Sequence, residues 1–118
     1  MSKIIKEQKD GVLFVIVAQE RLVDDLNLQD VQREILEILE QEEPEPKLVL
    51  DLRRVAFVGS AALGMLVRFR KRRGEQGFSL KLCQVSNAVD ETFRITGLNT
   101  LFEVYKTQKD AIESFDRA

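Results

Sequence analysis

Histidine is absent from the 118 residues, and cysteine occurs once, at Cys83. Without an imidazole there is no Ser-His-Asp triad, no Cys-His pair and no metal site with a His ligand. Most enzyme hypotheses lose their material at this point, and we expect no catalytic residue, no metal and no cofactor. One cysteine cannot close an internal disulfide, which suits a reducing compartment, so the expected location is the cytoplasm. No apolar stretch approaches the roughly 20 residues needed to span a bilayer. The start, Met1-Ser2-Lys3-Ile4-Ile5-Lys6, lacks the apolar core of a secretion signal. Eighteen Lys and Arg against 20 Asp and Glu give a net charge of −2, so no global basic field invites nucleic acid. Neither a membrane nor a nucleic acid is an expected partner.

What is present is ordinary globular material, 44% hydrophobic and 32% charged. The length suits one domain with one core, and residues 1–118 are expected to form it. Lys3–Gln8 and Val12–Ala18 read as strands joined through Asp10-Gly11, a hairpin signal. The second is apolar without alternation, as a central strand covered on both faces would be. Gln19–Asn27 is a polar stretch in which Asp24, Asp25 and Asn27 are all suited to cap a helix. Leu28, Val31, Ile35, Ile38 and Leu39 recur at helical spacing, and the only two prolines, Pro44 and Pro46, end that helix.

Lys47–Leu52 predicts a third strand, and a second helix opens at Ser60 and runs to about Arg73. Phe78–Val85 predicts a fourth strand, Ser86 or Asn87 caps a third helix, and Gly97 closes it. Leu101–Lys106 is a candidate edge strand, and Thr107 with Asp110 opens a final helix through Phe115. Alternation of this kind implies an α/β fold, with a mostly parallel central sheet of four to five strands and helices packed outside it.

Ser60 is the most informative residue. It stands where a strand-to-loop passage turns into a helix, in Leu50-Asp51-Leu52-Arg53-Arg54-Val55-Ala56-Phe57-Val58-Gly59-Ser60-Ala61-Ala62-Leu63-Gly64. The free N–H groups and positive dipole end of a helix N-terminus favour an anion there. Serine is also a preferred N-cap, and capping alone accounts for it. On the second helix, Leu63, Leu66 and Val67 form one apolar stripe and Met65 with Phe69 another. One of these stripes must bury against the sheet. Arg68, Arg70, Lys71, Arg72 and Arg73 form a basic cluster at that helix's end, where cations complement the dipole.

The order of elements, and the run of an apolar strand, an Asp, a short loop and Ser60-Ala61-Ala62-Leu63-Gly64, resemble the STAS domain. The family is typified by bacterial anti-sigma factor antagonists, or anti-anti-sigma factors. The resemblance implies that Ser60 is a phosphate acceptor and that the protein works by partner switching. Unphosphorylated, it binds an anti-sigma serine kinase of the histidine-kinase-like ATPase class; phosphorylation breaks the complex, and a metal-dependent serine phosphatase resets it. The implied partner-binding residues are Asp24, Asp25, Phe57, Val58, Gly59, Ala61, Ala62, Leu63, Met65 and Phe69, on a monomer or weak dimer. Two departures stand out. The residue before the serine, commonly Asp in the family, is Gly59. The loop after strand two lacks the frequent Gly-x-Leu-Asp, which leaves Asp24 or Asp25 for the acid. A STAS domain can also be a non-switching scaffold or ligand-sensing module. A hydrolase with Ser60 as nucleophile fails for want of a base.

Overall fold

The structure is a computed structural model describing residues 2–116. Two strands, β1 (Ile4–Lys9) and β2 (Val12–Val17), form an antiparallel hairpin closed by Asp10 and Gly11. Both turn residues have positive φ, 51° and 78°, as the tight two-residue turn requires, and Gly11 takes this conformation without steric cost. There follow β3 (Arg21–Leu22), α1 (Leu26–Leu39), β4 (Leu48–Asp51), β5 (Phe57–Val58) and α2 (Ser60–Glu75). The chain continues through β6 (Lys81–Cys83), α3 (Asn87–Thr96), a 3₁₀ turn (Leu98–Thr100), β7 (Glu103–Tyr105) and α4 (Gln108–Ser114).

The main sheet has the order β1-β2-β4-β6-β7, and every pairing except β1 with β2 is parallel. A five-stranded, mostly parallel sheet is what the alternation of elements predicts. Each parallel neighbour is reached through a helix, so the N-termini of α1, α2 and α3 all gather at the C-terminal ends of the strands. In open α/β sheets that edge is where binding sites collect.

Both faces of the sheet are covered. Leu28, Val31, Ile35, Ile38 and Leu39 of α1, with Ala62, Met65, Leu66 and Phe69 of α2 and Val89 and Phe93 of α3, bury one face. Val15, Val17, Leu48, Leu50 and Leu82 supply the strand side of that core. On the other face Val12, Phe14, Val49 and Cys83 lie under Ala111 of α4, flanked by Ile112, Phe115 and Tyr105. The residues of β2 therefore divide between two cores, which is why that strand shows no polar face.

Side chains hold the helix ends. Asp25 Oδ1 accepts from the Leu28 amide at 3.0 Å, Ser86 Oγ from Val89 at 3.2 Å and Thr107 Oγ1 from Asp110 at 3.0 Å. Gly97, at φ 76°, ends α3 in the left-handed conformation. The first helix ends earlier than its prolines suggest, with Glu40 as C-cap.

Candidate functional site

The two shortest strands build the site. Arg21 and Leu22 pair in parallel with Phe57 and Val58, forming a two-stranded sheet separate from the main one. The Glu20 carbonyl accepts from the Ala56 and Phe57 amides at 2.7 and 3.2 Å, and the Leu22 carbonyl from Gly59 at 2.8 Å. These bonds fasten the segment before α1 to the segment before α2. The loop carrying Asp24 and Asp25 thereby lies beside Gly59 and Ser60.

Ser60 is exposed and is the first residue of α2. Gly59, in extended conformation at φ −88°, is the N-cap, and its carbonyl accepts from Leu63 at 3.1 Å. No side chain caps this helix, and its first turn holds no acidic residue. The capping role that accounts for Ser60 from sequence is thus not the one it fills. Its hydroxyl makes no hydrogen bond among the described residues, at the end of a 16-residue helix whose leading amides carry positive potential.

The two acids beside it differ. Asp25 is committed as the cap of α1, whereas Asp24 is exposed and has no hydrogen-bond or ion-pair partner among the described residues. Arg21 lies over the Phe57 ring, 4.6 Å from its centroid. A Cβ placed on Gly59 would touch that ring's Cε1 at 3.9 Å and the Leu22 carbonyl at 3.5 Å, both ordinary contacts.

With this geometry in place, comparison with known proteins is decisive on the family. The profile of the STAS domain matches residues 3–111. The chain belongs to the STAS family. It is 27% identical over 116 residues to a Bordetella bronchiseptica protein named as an anti-sigma factor antagonist, BtrV, covering 98% of this chain and 97% of that one. An anti-sigma factor antagonist from Mycobacterium paratuberculosis has the same fold, with a TM-score of 0.81 and 26% identity over 97% of this chain and 93% of that one. The anti-sigma factor antagonist SpoIIAA, solved in its unphosphorylated form, matches with a TM-score of 0.75 at 16% identity, over 96% of each chain.

Several residues assigned to the partner surface prove to be core in this STAS domain. Val58, Ala62, Met65 and Phe69 are all under 5% exposed, packed between α2 and the sheet. The correction has a simple cause. Ala62, Met65, Leu66, Phe69 and Arg73 repeat at three- and four-residue steps and form the inward stripe of α2. The outward stripe starting at Ser60 runs through Leu63, Gly64 and Val67, and Val67 is exposed. Phe57, Gly59, Ala61 and Leu63 keep some exposure and remain available.

The same surface includes two residues the sequence reading did not select. Arg21 belongs through its strand pairing. Leu26, 75% exposed at the start of α1, was signalled only by its position directly after the Asp25 cap.

The basic cluster of α2 is largely spent on structure. Arg72 forks onto Glu40 through two 2.8 Å bonds, Arg68 donates to Gln32 at 2.7 Å, and Arg70 to the Leu101 carbonyl at 2.8 Å. Arg73 is buried over the Phe78 ring, and that burial lowers its pKa. Lys71 remains exposed at the end of the outward stripe.

Fully buried Asp51 ends β4, its carboxyl on the α4 side of the sheet. Oδ1 accepts from the Arg53 amide at 3.0 Å; Oδ2 accepts from Arg53 Nε and Nη2, Gln84 Nε2 and Gln108 Nε2 at 2.7–3.1 Å. Burial works to raise its pKa, but the Arg53 side chain and amide with the two glutamines outweigh it and hold the carboxyl below its usual range. The network anchors the start of the loop that leads to Ser60. Among the described residues no group of three His, Cys, Asp or Glu side chains could hold a metal ion. No helix of theirs is long and apolar enough to cross a membrane.

Proposed function

We propose that this protein is an anti-sigma factor antagonist switched by phosphorylation of Ser60. Unphosphorylated, it engages an anti-sigma serine kinase through the exposed surface of Asp24, Leu26, Phe57, Gly59, Ala61, Leu63 and Val67, and the sigma factor is released. The kinase transfers the terminal phosphoryl group of its own ATP to Ser60 Oγ, and a metal-dependent phosphatase removes it. The protein acts in the cytoplasm and has no catalytic residue of its own. The observation that carries this reading is the uncommitted, exposed Ser60 hydroxyl at the first position of α2, with Gly59 taking the cap. The names of the relatives support the antagonist role.

The new phosphate would add nearly two negative charges to a surface where Phe57 and Val67 are exposed. The helix dipole favours that charge, so the native fold tolerates it. The complex is lost through repulsion and desolvation at the interface.

The test uses lysate of the protein's own host and three baits, wild type, Ser60→Ala and Ser60→Asp, with the pull-downs run without added ATP and a separate portion of lysate given ATP for mass spectrometry of the wild type. Mass spectrometry should find one phosphate on Ser60 of the wild type. A histidine-kinase-like ATPase should be captured by wild type and Ser60→Ala and lost with Ser60→Asp. Identical capture by all three would make the protein a non-switching scaffold.

A further inference from the structure

Arg21 is the cation built into the strand pair that delivers Ser60, and its charge has no anionic counterpart. The eight ion pairs among the described residues do not include it. Instead its guanidinium rests on the Phe57 ring, 4.6 Å from the centroid, and a Cβ added to Gly59 would lie 3.9 Å from the same ring. The guanidinium and ring are stacked, and the ring borders the open position beside Gly59, the residue directly before Ser60. Phe57 is 43% exposed, so the stack stands at the surface, where the arginine side chain has room to turn.

We propose that Arg21 is the internal receptor for a phosphate on Ser60, held on Phe57 until the phosphate arrives. This rests on the phosphorylation reading above. An exposed cation–π contact is weaker than a charge-assisted fork from guanidinium to phosphate oxygens, so the new dianion takes the arginine from the ring. The backbone pairing of Arg21 with Phe57 keeps it within the strand pair while its side chain swings. Phosphorylation then changes the partner surface twice: a negative group appears at Ser60, and the cation that covered Phe57 leaves.

The experiment installs phosphoserine at position 60 during translation, so no kinase is needed. Phosphorus NMR then follows the second ionisation of the phosphate, near pH 6 in a free phosphoserine. Wild type, Arg21→Gln, Arg21→Lys and Arg54→Gln are compared; Arg54 is the nearby exposed loop cation without a partner among the described residues. Removing Arg21 should raise the ionisation by about half a unit or more, because an adjacent cation favours the dianion. Arg21→Lys should fall between, and Arg54→Gln should match wild type. Coincident titrations of wild type and Arg21→Gln would overturn the proposal, as would a shift confined to Arg54→Gln. A backbone amide spectrum of each variant checks that the fold is intact. If lysate never phosphorylates Ser60 while the Arg21 shift is present, the functional reading fails and the receptor geometry stands.

Discussion

The Gly59 amide donates to the Leu22 carbonyl at 2.8 Å, tying the residue before Ser60 to the strand before α1. With the two bonds to the Glu20 carbonyl, it joins segments 37 positions apart (22 and 59) between the two helix N-termini. Ser60 itself is presented by backbone: strand pairing, a glycine cap and the first turn of α2. The serine side chain is left free for chemistry.

Ser60→Ala should therefore cost almost nothing in stability, within about 0.5 kcal/mol as for most exposed positions. Asp25→Ala removes a real cap and should cost about 1 kcal/mol, read as a lower melting temperature. Ser60→Asp should also melt close to wild type, because a carboxylate suits the start of a helix. Thermal denaturation of the three variants checks this. A large drop for Ser60→Ala would mean that the hydroxyl has a structural task.

Gly59 is not demanded by the backbone. Its φ of −88° is open to any residue, and an added Cβ meets only ordinary contacts. Gly59→Asp should fold normally and gain a few tenths of a kcal/mol from a side-chain cap on α2. It also places a carboxylate beside the acceptor, so the rate of Ser60 phosphorylation in host lysate should change while melting does not fall. A destabilised Gly59→Asp would show that the turn needs glycine.

The elements were legible where one physical signal dominated. The unbroken apolar run of β2 predicted coverage on both faces, Asp10-Gly11, Gly97 and Thr107 marked their turns and caps, and of Ser86 and Asn87 the first is the cap. The pair of β3 and β5 was not legible, because two residues per strand carry no period. That pair is what brings the loop after β3 beside Gly59, so the site's assembly was hidden even though its serine was found. On α2 Leu63, Leu66 and Val67 form one apolar stripe and Met65 with Phe69 another; the core takes Leu66 with the second, and composition alone does not orient a helix that has two such stripes. The capping residue was misplaced by one position, since glycine and serine both suit it.

The orientation of α2 gives a paired prediction. Phe69→Ala opens a cavity in the core and should cost about 3–5 kcal/mol. Val67→Ala, on the outward stripe, should stay within about 0.5 kcal/mol and weaken capture of the kinase. Denaturant unfolding gives the first comparison and pull-down the second. A larger loss for Val67→Ala than for Phe69→Ala would mean that the two stripes had been exchanged.

Asp51 sets an acid limit. Its carboxyl is fully buried and held below the usual aspartate range by Arg53, Gln84 and Gln108 against the opposing effect of burial. A carboxyl depressed in the folded state stabilises it at pH above the ordinary aspartate value, near 3.9. That contribution is lost as pH falls through the lower, folded value. Asp51→Asn puts an amide where donors converge and should cost about 2 kcal/mol near neutrality. The gap between wild type and Asp51→Asn should narrow steadily below about pH 4, as wild-type Asp51 takes up its proton. Urea unfolding of both proteins from neutral to acid pH measures it. A gap that stays constant into acid would mean that Asp51 carries no pH-dependent stability and that its carboxyl is not held below the ordinary aspartate range.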